Sequence, residues 1–335
     1  MKIPFANEGS EGSEGSEGSE GSEGSEGSEG SEGSEGSRAS GIGAYAGQRT
    51  SALLANALIT THGELTRGYW GTIANPDTTT GQPPLDERMR RWSRKVRNQL
   101  YSWELASGIV VDTTSVANAA LLKAAGVGGA TLATLNQPAF EASAAALTAA
   151  LQGVLDYAAL RTDRMSEILT QVTAPYSYFA MVLNLQPGRH RFTYELMQAA
   201  LGLSGLTVMQ FKHFFGTRRP ADHSPLIQPM LLTPGHGAYP MGHATQCYFL
   251  ATVLKDNALA GTERGAETGK QLDALAYRVS ENRVVAGVHY VADLAAGQTL
   301  GVALGNFFLG KAKANVGAPT TPLEWLWEQA IAEWA

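Results

Sequence analysis

Cysteine is almost absent from this chain of 335 residues, in which Cys247 is the only one. A single thiol excludes an intrachain disulfide and any metal site built from several cysteines. Long apolar runs are also scarce. Gln298 and Asn306 interrupt the longest one, over residues 294–309, before it reaches the length that crosses a bilayer. The opening residues, MKIPFANE, contain no apolar segment typical of a signal peptide. We therefore expect a soluble, cytoplasmic protein with no membrane partner.

A low-complexity segment opens the chain, which repeats the triplet EGS ten times from Glu8 to Ser37. Glycine, serine and glutamate bury almost nothing, so we expect a disordered tail over residues 1–37 and one domain over 38–335. The repeat holds ten of the 31 acidic residues, which leaves 24 basic and 21 acidic residues in 38–335. This small, scattered positive excess argues against nucleic acid as a partner.

Helical periodicity dominates the remaining sequence, and strand signals are sparse. The stretch 109–135 mixes alanine, valine and glycine and is ambiguous. We predict an all-α helical bundle with its site between facing helices. The predicted helices cover residues 51–70, a segment from Pro84 to about 109, 138–173 (as one helix or two), 192–215, 242–260, 268–282 and 284–309.

Three short segments collect side chains that suit the binding of a tetrahedral oxyanion. Arginine and lysine neutralise its oxygens, one histidine can bond to the central atom, and another can move protons. The segments KHFFGTRRP, YPMGH and RVVAGVHYVAD supply Lys212, Arg219, Gly242, His243, Arg283, His289 and Asp293.

Spacing sets expectations for two of these segments. Lys212 and Arg219 are seven residues apart and would share a helical face if the helix continued to Pro220. His289 and Asp293 are four apart, so the carboxylate can accept a hydrogen bond from the imidazole ring.

Arg283 precedes His289 by six residues, which on a straight helix would place it on another face. If both side chains serve one site, the chain must bend between them. Gly287 is the residue that best permits such a bend, because glycine adopts backbone conformations that other residues rarely do.

The order and spacing of these segments resemble the tripartite signature shared by vanadium-dependent haloperoxidases and type 2 phosphatidic acid phosphatases. The stretch HGAYPMGHATQ is similar to the haloperoxidase form HPSYPSGHATQ and departs from it at Gly237, Ala238 and Met241. The stretch RVVAGVHYVAD is similar to RNMAGVHYxxD. The resemblance covers residues 205–300 and favours the haloperoxidases.

This resemblance implies a vanadate cofactor and three partners, namely hydrogen peroxide, a halide and a small organic substrate. Bromide or iodide is favoured over chloride because His236 stands where bromoperoxidases of the family have a second histidine. A homo-oligomer is possible. The implied roles are vanadium ligation by His289, vanadate binding by Lys212, Arg219, Gly242 and Arg283, and catalysis by His243, Lys212, His236 and Asp293.

Two alternatives remain open from the sequence. The same residues suit a phosphatase with a phosphohistidine intermediate at His289, because vanadate and phosphate are nearly isosteric. Met241 replaces a serine whose hydroxyl would donate to the oxyanion, and a thioether cannot donate. A non-catalytic, oxyanion-binding protein is therefore the second alternative.

Overall fold

The computed structural model describes residues 51–65, 80–173, 175–259 and 265–334. Contacts divide the chain into two units, Met1–Thr79 and Thr80–Ala335. The first unit contains helix α1 (Ala52–Leu65), where the Ser51 hydroxyl accepts a hydrogen bond from the Leu54 amide at 3.1 Å. The predicted tail and residues 66–70 of the first predicted helix lie outside the described residues, so the division at residue 37 remains a prediction.

The second unit is predominantly helical, which confirms the predicted fold class. Among its described residues, no helix has the length and apolar character needed to cross a membrane. Its helices are α2 (Leu85–Arg91), α3 (Arg94–Ser107), α4 (Ala144–Tyr157), α5 (Arg161–Thr170), α6 (Tyr176–Leu183), α7 (Arg191–Phe215), α8 (Pro220–His223), α9 (Gly242–Leu259), α10 (Gly265–Val285), α11 (Val291–Ala312) and α12 (Pro322–Ala332), with 3-10 turns at Ala139–Ala142 and Ala158–Leu160.

A small antiparallel sheet occupies the stretch that was ambiguous in sequence. Its strands β1 (Ile109–Asp112), β2 (Ala119–Ala124) and β3 (Thr131–Asn136) pair in chain order. Gly126 and Gly128 have positive φ angles of 113° and 71° in the turn between β2 and β3. Only glycine readily adopts a φ angle of 113°, so the turn requires glycine at position 126.

Several predicted helices differ in their boundaries. The helix predicted from Pro84 is two helices, because Ser93 begins a new one and accepts a hydrogen bond from the Val96 amide. The segment 138–173 likewise divides into α4 and α5 with 3-10 turns. Helix α7 agrees closely with its prediction, α10 is longer than predicted, and α11 begins seven residues later than predicted.

Helix α9 lies at the centre of the bundle and packs against α7, α10 and α11. Glycines on α11 allow the closest of these approaches. A Cβ atom on Gly297 would lie 2.5 Å from the Met241 carbonyl oxygen, and one on Gly301 would lie 2.5 Å from that of Thr245. The two backbones are therefore nearly in contact, which brings the start of α9 against the start of α11.

Candidate oxyanion site

Lys212 lies in the last turn of α7, and its ammonium group binds the loop that precedes α9. Its Nζ donates to the carbonyl oxygens of Gly237 at 2.7 Å and Ala238 at 2.9 Å. The helix ends at Phe215, and Gly216 follows in the left-handed conformation with a φ of 60°. Because α7 stops there, the condition for a helical face shared by Lys212 and Arg219 is not met.

Arg219 instead comes from the connection between α7 and α8, and Pro220 begins α8 rather than ending a helix. The Asp222 carboxylate accepts the Arg219 amide at 2.8 Å and fixes this turn. The guanidinium NH1 then donates to the Val288 carbonyl oxygen at 2.6 Å and lies 2.9 Å from Nε2 of His289. Arg219 thus reaches His289 from a loop.

His289 lies in the short connection between α10 and α11. The chain turns at Gly287, which has a φ of 82°, at the position where the sequence predicted a bend. Nδ1 of His289 lies 2.8 Å from Oδ2 of Asp293, and that oxygen also accepts the Tyr290 amide at 3.0 Å. The carboxylate therefore holds the imidazole ring and caps the start of α11.

His243 lies in the first turn of α9 and contacts a segment that carries no motif. Its Nε2 lies 2.8 Å from the main-chain oxygen of Gln171, the residue that follows α5. Arg283, near the end of α10, donates through NH2 to the Ile168 carbonyl oxygen at 2.8 Å and lies 3.5 Å from Oε1 of Gln171. Sequence reasoning missed Gln171, because no local pattern links the end of α5 to the motifs.

The site has an excess of buried positive charge. Lys212, Arg219 and Arg283 are 3%, 2% and 2% exposed. Within the described part of the chain, none of them forms a salt bridge with a carboxylate, and neutral acceptors take the hydrogen bonds given above. Asp293 is buried nearby, and its Oδ1 has no hydrogen-bond partner among the residues that the structure describes. The charge of Asp293 acts on Lys212 and Arg219, but one buried carboxylate beside three cations leaves a net positive charge. Burying net charge is costly, so the arrangement favours an anionic ligand.

Titration shifts follow from this burial and charge. Burial, and then the charges of Arg219 and Lys212, hold the pKa of His289 well below its ordinary value. Burial, and then the charge of Arg283, lowers the pKa of His243 from 6.5 to about 4. Burial also lowers the pKa of Lys212 and raises that of Asp293. Both histidines are therefore neutral at pH 7 while no anion is bound.

The remaining predicted positions lie around this cluster. His236 is exposed, and its Nδ1 is 3.1 Å from NH2 of Arg219. Gly242 begins α9, and a Cβ atom there would find its nearest neighbour at 4.0 Å, so the backbone is open to close approach. Met241 is fully buried in the hydrophobic core, and its amide donates to the Asp293 carbonyl oxygen at 3.0 Å. The structure thus links all the predicted side chains through shared contacts or mutual charge effects.

Comparison with known proteins does not assign this chain to a family. No family model matches the chain, and no curated protein matches it. One similar solved structure is a transmembrane PAP2-type phosphatidylglycerolphosphate phosphatase from Bacillus subtilis, at 19% identity and a TM-score of 0.41, which covers 51% of this chain and 87% of that chain. A TM-score of 0.41 is too low for that enzyme's activity to be transferred to this chain.

Proposed function

We propose that the cluster binds a tetrahedral oxyanion and that the chain is an enzyme of the phosphatase and haloperoxidase superfamily that its motifs resemble. The observation that carries this proposal is the set of three buried cations, Lys212, Arg219 and Arg283, that lack a carboxylate partner among the described residues. An anion with several oxygens would satisfy their charge and accept their hydrogen bonds.

The phosphatase chemistry needs only residues of this chain, a phosphate ester and water. Because arginine can only donate, Nε2 of His289 accepts a hydrogen bond from Arg219. Nδ1 therefore carries the ring hydrogen and donates a hydrogen bond to Asp293. Nε2 therefore holds the lone pair that would attack phosphorus. The phosphorus–oxygen bond to the leaving alcohol breaks, and protonated His243 gives that oxygen its proton. Water then attacks the phosphohistidine, which restores His289 and releases phosphate.

His243 is neutral in the empty site, so its role as an acid requires a change when substrate binds. The negative charge of a phosphate ester favours the protonated imidazole and raises its pKa. The acid would therefore form only beside a bound anion. Neutral His243 can afterwards take a proton from the attacking water, which returns the site to its starting protonation.

Vanadate-dependent halide oxidation is a second candidate. Two observations favour it, namely the likeness of HGAYPMGHATQ to the haloperoxidase sequence and the contact between His236 and Arg219. The residues fit the cofactor, since Lys212, Arg219 and Arg283 would neutralise its oxygens. Nε2 of His289, which accepts from Arg219 in the empty site, holds the lone pair that would bond to the metal. Bound vanadate would supply a Lewis-acid centre that activates hydrogen peroxide toward halide. Met241 offers no hydroxyl for that anion, and its side chain belongs to the core.

Two assays on the same preparation decide between these chemistries. Metal-free protein is tested for hydrolysis of an aryl phosphate, with and without orthovanadate as inhibitor. Vanadate-loaded protein is tested for bromination of an indicator phenol with peroxide and bromide. The matched controls are His289→Ala, which should remove either activity, and His223→Ala, an exposed histidine on α8 whose loss should remove neither.

Vanadate-sensitive hydrolysis without bromination supports the phosphatase, and bromination only after vanadate loading supports the haloperoxidase. Neither activity in a protein that binds vanadate would leave a non-catalytic oxyanion site. A wild-type protein that binds neither phosphate nor vanadate would contradict the proposal.

A further inference from the structure

Gln171 contacts both His243 and Arg283, although it belongs to none of the motifs. It is 1% exposed and follows the last turn of α5. Its main-chain oxygen lies 2.8 Å from Nε2 of His243. Its side-chain Oε1 lies 2.9 Å from Nδ2 of Asn282 and 3.5 Å from NH2 of Arg283. One residue therefore contacts both a proposed acid–base group and a proposed oxyanion-binding cation.

We propose that Gln171 is a positioning residue of the oxyanion site, which orients His243 through its main-chain carbonyl and holds Arg283 through a neutral amide that leaves the arginine charge available to an anion. This inference rests on the proposed function and extends it to a residue outside the motifs.

The contact with His243 decides which ring nitrogen can exchange a proton. A carbonyl oxygen only accepts, so Nε2 of His243 carries the hydrogen and Nδ1 holds the lone pair. Nδ1 is therefore the atom that would gain and release the catalytic proton. Among the described residues, the charged or titratable groups that act on His243 are Arg283 on α10, Lys212 on α7 and His289 before α11.

The contact with Arg283 makes the neutrality of Gln171 important. A carboxylate of the same shape could still accept from Asn282, and it would form a salt bridge with Arg283. That pairing would neutralise one of the three buried positive charges. The glutamine amide supports the guanidinium with a weak, long contact instead, while the Ile168 carbonyl oxygen provides the stronger hydrogen bond at 2.8 Å.

The test variant is Gln171→Glu, and the chain offers a closely matched control. Gln198 on α7 also accepts from an asparagine, with Oε1 2.7 Å from Nδ2 of Asn98, and it lies 14 residues before Lys212. Gln198→Glu therefore makes the same chemical change about 20 Å along the helix from the site. Three properties are measured in both variants, namely affinity for inorganic phosphate by calorimetry, titration of the His243 ring by NMR, and thermal unfolding.

We expect Gln171→Glu to weaken phosphate binding by about 10- to 100-fold and to raise the pH at which His243 titrates, with little change in unfolding temperature. Gln198→Glu should leave all three properties unchanged. Unaltered phosphate affinity and unaltered His243 titration in Gln171→Glu would overturn the inference.

Two further outcomes keep the inference separate from the proposed function. If the wild-type protein binds no phosphate, the oxyanion function fails, and the His243 titration alone decides the role of Gln171. If Gln171→Glu does not fold, Gln171→Asn is used, because it withdraws the amide from Arg283 and keeps the carbonyl for His243. Weaker phosphate binding with an unshifted His243 titration would then support the inference, and unchanged binding would overturn it.

Discussion

NH1 of Arg219 lies 2.9 Å from Nε2 of His289, while Oδ2 of Asp293 lies 2.8 Å from Nδ1 of the same ring. Because the guanidinium can only donate, this pair of contacts fixes the imidazole tautomer and keeps its Nε2 lone pair directed at Arg219. A bound oxyanion would take the place of NH1 at Nε2 and accept from the guanidinium. Under the proposed function, Arg219 would hold Nε2 of His289 in place until an anion displaces its NH1 group.

Asp293→Asn should reverse that tautomer. The new amide would donate to Nδ1, which would place the ring hydrogen on Nε2, opposite the Arg219 donor. We expect kcat to fall by about 10- to 100-fold or more. The same Oδ2 accepts the Tyr290 amide, so an amide nitrogen that donates to Nδ1 also loses that hydrogen bond, at a cost of about 1 kcal/mol in unfolding free energy. Asp256→Asn, which breaks an exposed pair with Lys313, is the control and should cost less than about 1 kcal/mol in unfolding free energy. A kcat within twofold of wild type would refute the role of Asp293.

Acidic pH should destabilise the protein through its buried histidines. The pKa of His243 is lowered to about 4 by burial and then by Arg283, against 6.5 for an ordinary histidine. As the pH falls from 6.5 toward 4, the unfolded chain takes up a proton that the folded chain does not, so unfolding becomes easier. The largest possible slope is about 1.4 kcal/mol per pH unit for this group.

The measurement is the unfolding free energy between pH 6.5 and 5, where few carboxylates titrate. His243→Asn should lose less stability over this range than wild type does. Saturating phosphate should also reduce the loss, because the anion favours the protonated ring. Parallel curves for wild type and variant would show that His243 does not contribute.

Gly297→Ala should separate α11 from α9 and so displace the start of α9. The added Cβ atom would lie 2.5 Å from the Met241 carbonyl oxygen and 2.7 Å from Cβ of Ala244, so the backbones must move apart. We expect a loss of about 1–3 kcal/mol in unfolding free energy together with reduced activity. Gly310→Ala on the same helix meets no described atom within 4 Å and should instead stabilise the protein by about 0.5–1 kcal/mol. Equal effects at the two positions would contradict the close packing.

Met241→Ser separates a core role from a binding role. The methionine is fully buried, so its replacement should cost about 1–3 kcal/mol in unfolding free energy. If the serine hydroxyl reaches the bound anion, vanadate affinity should rise by about 10-fold for each 1.4 kcal/mol regained. Calorimetry of the folded variant measures the second effect. Unchanged or weaker affinity would show that Met241 is not simply a missing donor and would count against the haloperoxidase candidate.

Local signals predicted the parts of the structure that depend on neighbouring residues. Apolar spacing gave α7 and α9, and the need to bring Arg283 and His289 together indicated the turn at Gly287. Gly216 was a visible sign that α7 ends before Arg219, because glycine commonly follows a helix in the left-handed conformation. The cluster GVGG was likewise a sign of the turn between β2 and β3.

Contacts between distant segments had no such signal. Gln171 meets His243 and Arg283 across 72 and 112 residues, and nothing in its own neighbourhood marks it. The close contact of α9 and α11 also depends on which face of each helix is turned inward, although the glycines at 297, 301 and 305 recur every four residues. A four-residue repeat of small residues favours close helix packing, but it does not indicate which helix packs against it.

Equilibrium dialysis with orthovanadate tests the central claim, an oxyanion site at Nε2 of His289, most directly. We expect wild type, His243→Ala and the control His223→Ala each to bind one vanadate per chain, since none of these changes removes the atom that bonds to the anion. His289→Ala should lose the bound vanadate. Absence of binding by wild type, or equal affinity in wild type and His289→Ala, would contradict the account.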